Sequence, residues 1–321
     1  MALQSGKDIF GIAKQTAKGT IAANPYYGMG LVSGGLTMTP TQEPDALTSA
    51  YLSPAGAFRS KVESGATIET RCYTKSIGLL LLGALGAIST TGTGPYIHTI
   101  TLGTALLYFT AFETKGDASL HAIQDCKIDE LEISWEENMP LKVACKMVGG
   151  LWSVPSSFTT TVAEQDTTDY FTPVGGTFKY DLDSATPATA SILGGSVKIS
   201  RAVEAKYFSG AIGAADAFEG FCSVETSLTV LPDDITVWKN ALTGSTTGTA
   251  IGTVPLYGSF EHTFTKGAAS LKLAGANTTF LCDFPEADPA GGAVECTLAG
   301  VAYRASGTPL TAVLTNAQVS Y

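Results

Sequence analysis

The chain has 321 residues, of which 15% are charged and 35 are glycine, and its net charge is −10. So acidic a balance excludes a protein that grips nucleic acid, since that work needs lysine and arginine to displace counterions, but it suits a wall that phosphate slides past. No run approaches the ~18 consecutive apolar residues of a bilayer-spanning helix, and the glycine, serine and threonine content is that of many short strands joined by turns, about two domains in length.

Taken in chain order, Met1-Ala2-Leu3-Gln4-Ser5-Gly6-Lys7 lacks the basic and apolar blocks of an export signal, which predicts a protein kept in the cytosol. Residues 1–36 are glycine-rich and read as an N-terminal arm, with Gly6 to Ile12 as an edge strand and Asn24-Pro25-Tyr26-Tyr27-Gly28 as a turn. A first β unit, 37–150, opens on a loop from Glu43 to Gly56 and continues into the alternating run Ala66 to Tyr73. Ile77 to Ile88, apolar and interrupted by glycine, predicts a buried helix. Leu131, Ile133 and Trp135 alternate with Glu130, Glu132, Ser134 and Glu136, a half-buried strand with an acidic outer face, and Leu141 to Met147 returns beside it across Asn138-Met139-Pro140.

Residues 151–176, with Pro155-Ser156-Ser157 and Pro173-Val174-Gly175-Gly176, read as a connector, and 177–321 as a second β unit. There Ser196 to Val203 alternates, Ala205 to Phe221 reads as a long loop, and Glu219 to Val230 as a strand. Pro232-Asp233-Asp234 is placed to cap a short helix, Ile235 to Leu242, because first-turn aspartates satisfy free amides.

Three echoes link the halves. Tyr96 to Gly103 returns as Phe260 to Gly267, Val143 to Gly149 as Val294 to Gly300, and Ile68-Glu69-Thr70 as Val224-Glu225-Thr226. Their common order predicts an internal duplication in which His98 and His262, and Cys145 and Cys296, mark matching positions.

The candidate chemistry is thin. Neither His98 nor His262 has a nucleophile elbow or an orienting third group, and His121 has less, so a structural role is expected and no catalytic residue is assigned. The carboxylates at Asp129-Glu130, Glu132, Glu136-Glu137, Glu286 and Asp288 read as a solvated or lumen-facing surface rather than a glycosidase pair. Asp181-Leu182-Asp183 lacks the rest of a calcium loop. The six cysteines show no metal spacing, and reduced, strand-buried thiols are expected. No cofactor or metal site is indicated.

The opening Gly6-Lys7-Asp8-Ile9-Phe10-Gly11-Ile12-Ala13-Lys14 with Gly19-Thr20, the stretch Gly94 to Thr99, and the hairpin from Lys127 to Gly149 resemble the tail tube (major tail) proteins of long-tailed, non-contractile bacteriophages, over nearly the whole chain. The resemblance implies a mainly β fold of two tandem tail-tube-type β-sandwich units, each with a short flanking helix, whose inner sheets close into a ring-wide barrel. It implies self-association into stacked rings, six units per ring and therefore trimers for a two-unit chain. It also implies a tape measure, a tail terminator and distal tail proteins as partners, passage of DNA through the lumen without specific binding, no membrane, and a place in the virion tail after assembly in the host cytoplasm. On this reading Ile9, Phe10, Ile12, Tyr207, Phe208 and Phe218 are candidate contacts between rings. So are the loops at Glu43 to Gly65 and Ala205 to Phe221 and the end from Thr311 to Tyr321, and deleting residues 1–20 is expected to leave a folded protein that forms no tubes. A surface adhesion module of tandem sandwiches is the competing expectation, and would need an export route.

Overall fold

The computed structural model describes residues 9–22, 26–44, 56–115, 119–153, 162–163, 169–184, 186–232, 235–282 and 294–321. Alternation sets most of them as strand. In the first half these are β1 (Ile9–Lys14), β2 (Tyr26–Met29), β3 (Leu31–Pro44), β4 (Ala57–Arg71), helix α1 (Ile77–Leu85), β5 (Gly86–Thr91), β6 (Tyr96–Leu102), β7 (Phe109–Lys115), β8 (Ser119–Trp135), β9 (Lys142–Gly149) and β10 (Leu151–Ser153). There follow β11 (Val162–Ala163), β12 (Thr177–Asp181), β13 (Ala188–Thr189), β14 (Ile192–Ser200), β15 (Glu204–Lys206), β16 (Asp216–Phe218), β17 (Ser223–Val230), helix α2 (Thr236–Thr243), β18 (Gly258–Lys266), β19 (Ala269–Cys282), β20 (Cys296–Ala302) and β21 (Thr311–Asn316).

The protein is mainly β, as its composition predicts, and its sheets stack as a sandwich. One antiparallel layer runs β3-β4-β9-β8-β14-β17-β20-β19. Strands β8 and β19 are long enough to serve two layers. The first part of β8 pairs β7 and β10, with β1 and β2 beyond β7. The first part of β19 likewise pairs β18 and β21, with β12 and β13 beyond β18. Among the described residues the long layer does not close into a barrel within one chain; it ends on β3 and on the C-terminal part of β19.

Packing follows the pleat. On β9 Val143, Cys145, Met147 and Gly149 are buried while Lys142, Ala144 and Lys146 are exposed, so one face meets Ile68, Leu131 and Ile133 and the other meets water. Helix α1 is apolar all round because it is enclosed all round: every residue from Ile77 to Leu85 is buried, and it lies on β8, β5 and β6. Each leucine so enclosed contributes about 1.5–3 kcal/mol. Gly86, at φ 99°, ends the helix with its N–H on Leu82 O. Helix α2 is amphipathic, lies on β19 and buries Trp238.

Several expectations are corrected. Part of the supposed arm is internal: β1 pairs β2 and β7, and Phe10 and Ile12 are buried in the core, so deleting residues 1–20 removes core side chains. The described residues of Glu43 to Gly65 lie almost wholly in the paired strands β3 and β4, with 45–55 outside the described residues. The strand that holds Ser196 ends at Ser200, though buried and outward residues keep alternating to Val203, and the loop after it carries a small hairpin, β15 with β16. The helix after Leu231 begins at Thr236 with Ile235 at its N-cap and no side-chain cap bond; Asp233 and Asp234 lie outside the described residues, as do Glu286 and Asp288. Thr311 to Asn316 is β21, inside a layer. Cys282 and Cys296 are joined as a disulfide, against the expectation of reduced thiols, whereas Cys72, Cys126 and Cys145 are buried and free.

Candidate assembly edges and the charged sheet face

The two halves of the long layer meet at a seam between β8 and β14. Gly195 stands opposite Trp135, Val197 opposite Ile133, Ile199 opposite Leu131 and Ser200 opposite Glu130. Asp129 locks its end. Its backbone oxygen accepts the Arg201 N–H at 2.8 Å, its Oδ1 accepts the Val203 N–H at 2.8 Å, and its Oδ2 takes Lys146 Nζ at 2.8 Å. The hydrogen bond to Asp129 pushes the Lys146 ammonium above its ordinary value. Arg201, buried, reaches on to Ala84 O at 3.3 Å and Leu85 O at 3.5 Å at the C-terminal end of α1, where Leu85 O also accepts the Gly103 N–H at 2.7 Å.

Sequence reasoning placed Asp129 among solvated carboxylates and passed over Arg201 altogether. No local pattern could have found either, because their partners lie on other elements.

The solvent face of the seam is charged, though not acidic as the strand alone suggests. Glu130 and Glu132 are half-buried and Glu136 exposed. Lys146 stands opposite Glu130 on one side, and Lys198 stands between Glu132 and Glu225 on the other. Lys198 Nζ lies 3.4 Å from Glu130 Oε2. Lysines from β9 and β14 thus intersperse with the carboxylates of β8 and β17, leaving a face of mixed sign.

At its two ends the layer has edges that pair with no other strand among the described residues. On β3, Val32 is 63% exposed and Met38 39%; on β19, Leu281 is 68% exposed. Val62, opposite Pro40, sends its N–H to Ile212 O rather than to β3, which turns the proline nitrogen to the free edge, where the missing donor discourages indiscriminate pairing.

The remaining site residues fall apart. Ile9 is half-buried beside the internal Phe10 and Ile12, so these two are unavailable to another ring in this conformation. Tyr207 is half-buried beneath Lys61, whose ammonium lies 5.4 Å from its ring, while Phe208 and Phe218 are exposed. The histidines do not match. His98 lies on β6, between β5 and β21, buried and bonded to Thr90 Oγ1 at 2.9 Å and Gln318 O at 2.9 Å. His262 lies on β18, between β12 and β19, fully enclosed. The other echoes sit on strands of like order but conflict in register: Ile68 faces Cys145, whereas Val224 faces Ala302 and Cys296 faces Val230. Among the described residues, no group of three or more His, Cys, Asp or Glu gathers as a metal site.

A family model described as "Phage tail tube protein" matches residues 8–305. No curated protein matches the chain.

Proposed function

The chain belongs to the phage tail tube protein family, and from that premise we propose that this structural tail component polymerises as stacked rings into the hollow tube that conducts DNA to the host. Three chains make one ring. Each contributes two tube units, the first ending with β10 and the second beginning with β12, so that six similar wall segments surround the lumen. The charged face of the long layer lines that lumen, and its mixed sign lets phosphate pass without capture. Assembly takes place in the host cytoplasm, with a tape measure protein inside the growing tube and terminator and distal tail proteins at its ends.

One observation carries this reading. The order β3-β4-β9-β8 is followed along the same layer by β14-β17-β20-β19, and each foursome is a hairpin, a strand after the helix and a return strand. The internal seam therefore joins the last strand of one set to the first strand of the next, and the layer stops where a further copy would continue it. A sheet extended in this way has no edge left once it closes on itself.

Electron microscopy of the purified protein at high concentration, with the mass of the smallest ring, tests the proposal. Stacked rings with an open lumen and a mass of three chains are expected. Persistent monomers under all assembly conditions argue against tube formation, and rings of six chains argue against two wall segments per chain.

A further inference from the structure

The internal seam is a template for the contact between copies. In β3 the pairing with β4 skips Val32, between Leu31 and Ser33; in β14 the pairing with β17 skips Leu193, between Ile192 and Gly194. Superposing the two bulges sets Leu36 with Val197, Met38 with Ile199 and Thr39 with Ser200. The other side of the contact aligns as well. Between Phe109 and Ala111, β7 skips one residue while β8 skips Gln124 and Asp125; between Gly258 and Phe260, β18 skips one while β19 skips Ala276 and Asn277. This sets Glu113 with His262 and Cys126 with Thr278. With the extra residue of β8 between Ile128 and Glu130 removed, Glu130 falls with Leu281 and Leu131 with Cys282.

Resting on the ring reading above, we propose that β3 of one copy receives β19 of a second copy in the register of the β8–β14 seam. Met38 then stands opposite Cys282 and Thr39 opposite Leu281 of the neighbour, and the Glu113 carboxylate holds the place of that strand in the isolated chain. Burial supports the vacancy: Ile199, covered by the seam, is 2% exposed, while its counterpart Met38 is 39% exposed. Hydrogen bonding supports the placeholder. The Arg201 N–H crosses the seam to Asp129 O, so the alternate amides of Ile199 and Val197 point the same way. The amide of Leu36, the counterpart of Val197, instead donates to Glu113 Oε2 at 2.9 Å, and Glu113 is buried. Gly35 makes room, since a Cβ there would lie 2.6 Å from Glu113 Oε1. At the same place in the second half stands His262, on β18, while β14, the strand that corresponds to β3, is already paired to β8. A carboxylate where the edge is open and a neutral ring where it is closed is what a temporary cap requires.

The test is a pair of cysteines, Thr39→Cys with Leu281→Cys in one chain, oxidised after assembly. Directly opposed antiparallel residues bring Cα atoms to about 4.5–5.5 Å, within disulfide reach. Cross-linked multiples ending at the ring's copy number are expected on a non-reducing gel. Each single variant, and the displaced pair Thr41→Cys with Leu281→Cys, should remain largely monomeric. Tubes that form but cross-link no better at 39 than at 41 overturn the register and leave the tube reading intact; a chain that never assembles overturns the tube reading. For the cap, Glu113→Ala is expected to assemble at a several-fold lower concentration than the native chain, and Glu113→Gln, which keeps an acceptor for Leu36, nearer to the native threshold. Native-like circular dichroism with an unchanged or raised threshold in both variants overturns the cap.

Discussion

The ring of His262 on β18 lies 5.1 Å, centroid to centroid, from the indole of Trp135 on β8, so the second half of the chain encloses its histidine partly with the strand that carries the seam. Phe260 and Phe178 complete the enclosure. Neither ring nitrogen has a hydrogen-bond partner among the described residues, and burial pushes the imidazole down to about 3.

This histidine makes the fold acid-sensitive. The unfolded chain takes up its proton near pH 6.5 and the folded chain not until about pH 3. Between those values the unfolded state binds more protons, and stability falls by about 1.4 kcal/mol for each unit that the pH falls. Above 6.5 the group contributes no slope. His262→Phe is expected to flatten the dependence and to gain about 1–2 kcal/mol at neutral pH, because a buried unmet polar group costs that order. Urea unfolding at pH 7 and pH 4 measures both; an equal loss in variant and native chain assigns the acid sensitivity elsewhere.

Arg201 ties the second half to the helix of the first. Arg201→Ala is expected to cost about 2 kcal/mol, the scale of charged hydrogen bonds to the helix-end carbonyls of Ala84 and Leu85. Hydrogen exchange should report faster opening at the end of α1. Protection unchanged along α1 would remove the cap from the account.

Gly78 opposes the usual rule for helices. Glycine to alanine in a helix interior ordinarily gains about 1 kcal/mol, but a Cβ at Gly78 would fall inside the Tyr321 ring. That ring is fixed by its hydroxyl, which donates to Lys75 O and accepts from Asn316 Nδ2 at 2.7 Å. Gly78→Ala is therefore expected to lower the melting temperature, and Gly78→Ala with Tyr321→Ala to recover part of the loss. A rise in the single variant would show that Tyr321 yields without cost.

Lys127 and Glu219 form a nearly buried pair at 2.6 Å, with the ammonium also 4.7 Å from the Tyr108 ring. Burial alone would raise the Glu219 carboxyl; the hydrogen bonds from Lys127 and from the Leu106 N–H outweigh it and hold the group below its ordinary value. The stability this contributes is present above the ordinary carboxylate range and is lost as pH falls through the depressed value. Lys127→Met is expected to cost about 3 kcal/mol by stranding the carboxylate, and adding Glu219→Gln to restore part of it. Thermal melts of the two single variants and the double variant at pH 7 decide; strictly additive losses would deny the coupling.

Much of the fold was legible because it depends on period. Alternation from Leu131 to Trp135 and from Leu141 to Met147 located two central strands and their hairpin, and the glycine-interrupted apolar run from Ile77 located the enclosed helix. The ends of the long layer were not legible. Met38 and Leu281 look like any strand residues, and only the lack of a paired strand beside them among the described residues sets them apart. Asp129 and Arg201 act on groups far along the chain, which no spacing records.

By itself the sequence determined a β-rich chain of two-domain length, with an acidic balance unsuited to gripping DNA and one helix too apolar to lie outside. The tertiary structure decided which strands pair within and between the halves. Short aromatic and His-Thr echoes arise readily where side chains alternate every second residue, and a strand may slip by two without changing its face. Bulges and partners set the register. On the proposed register they set Glu113, not His98, with His262, and among the described residues they leave β3 and β19 as the two ends of the long layer.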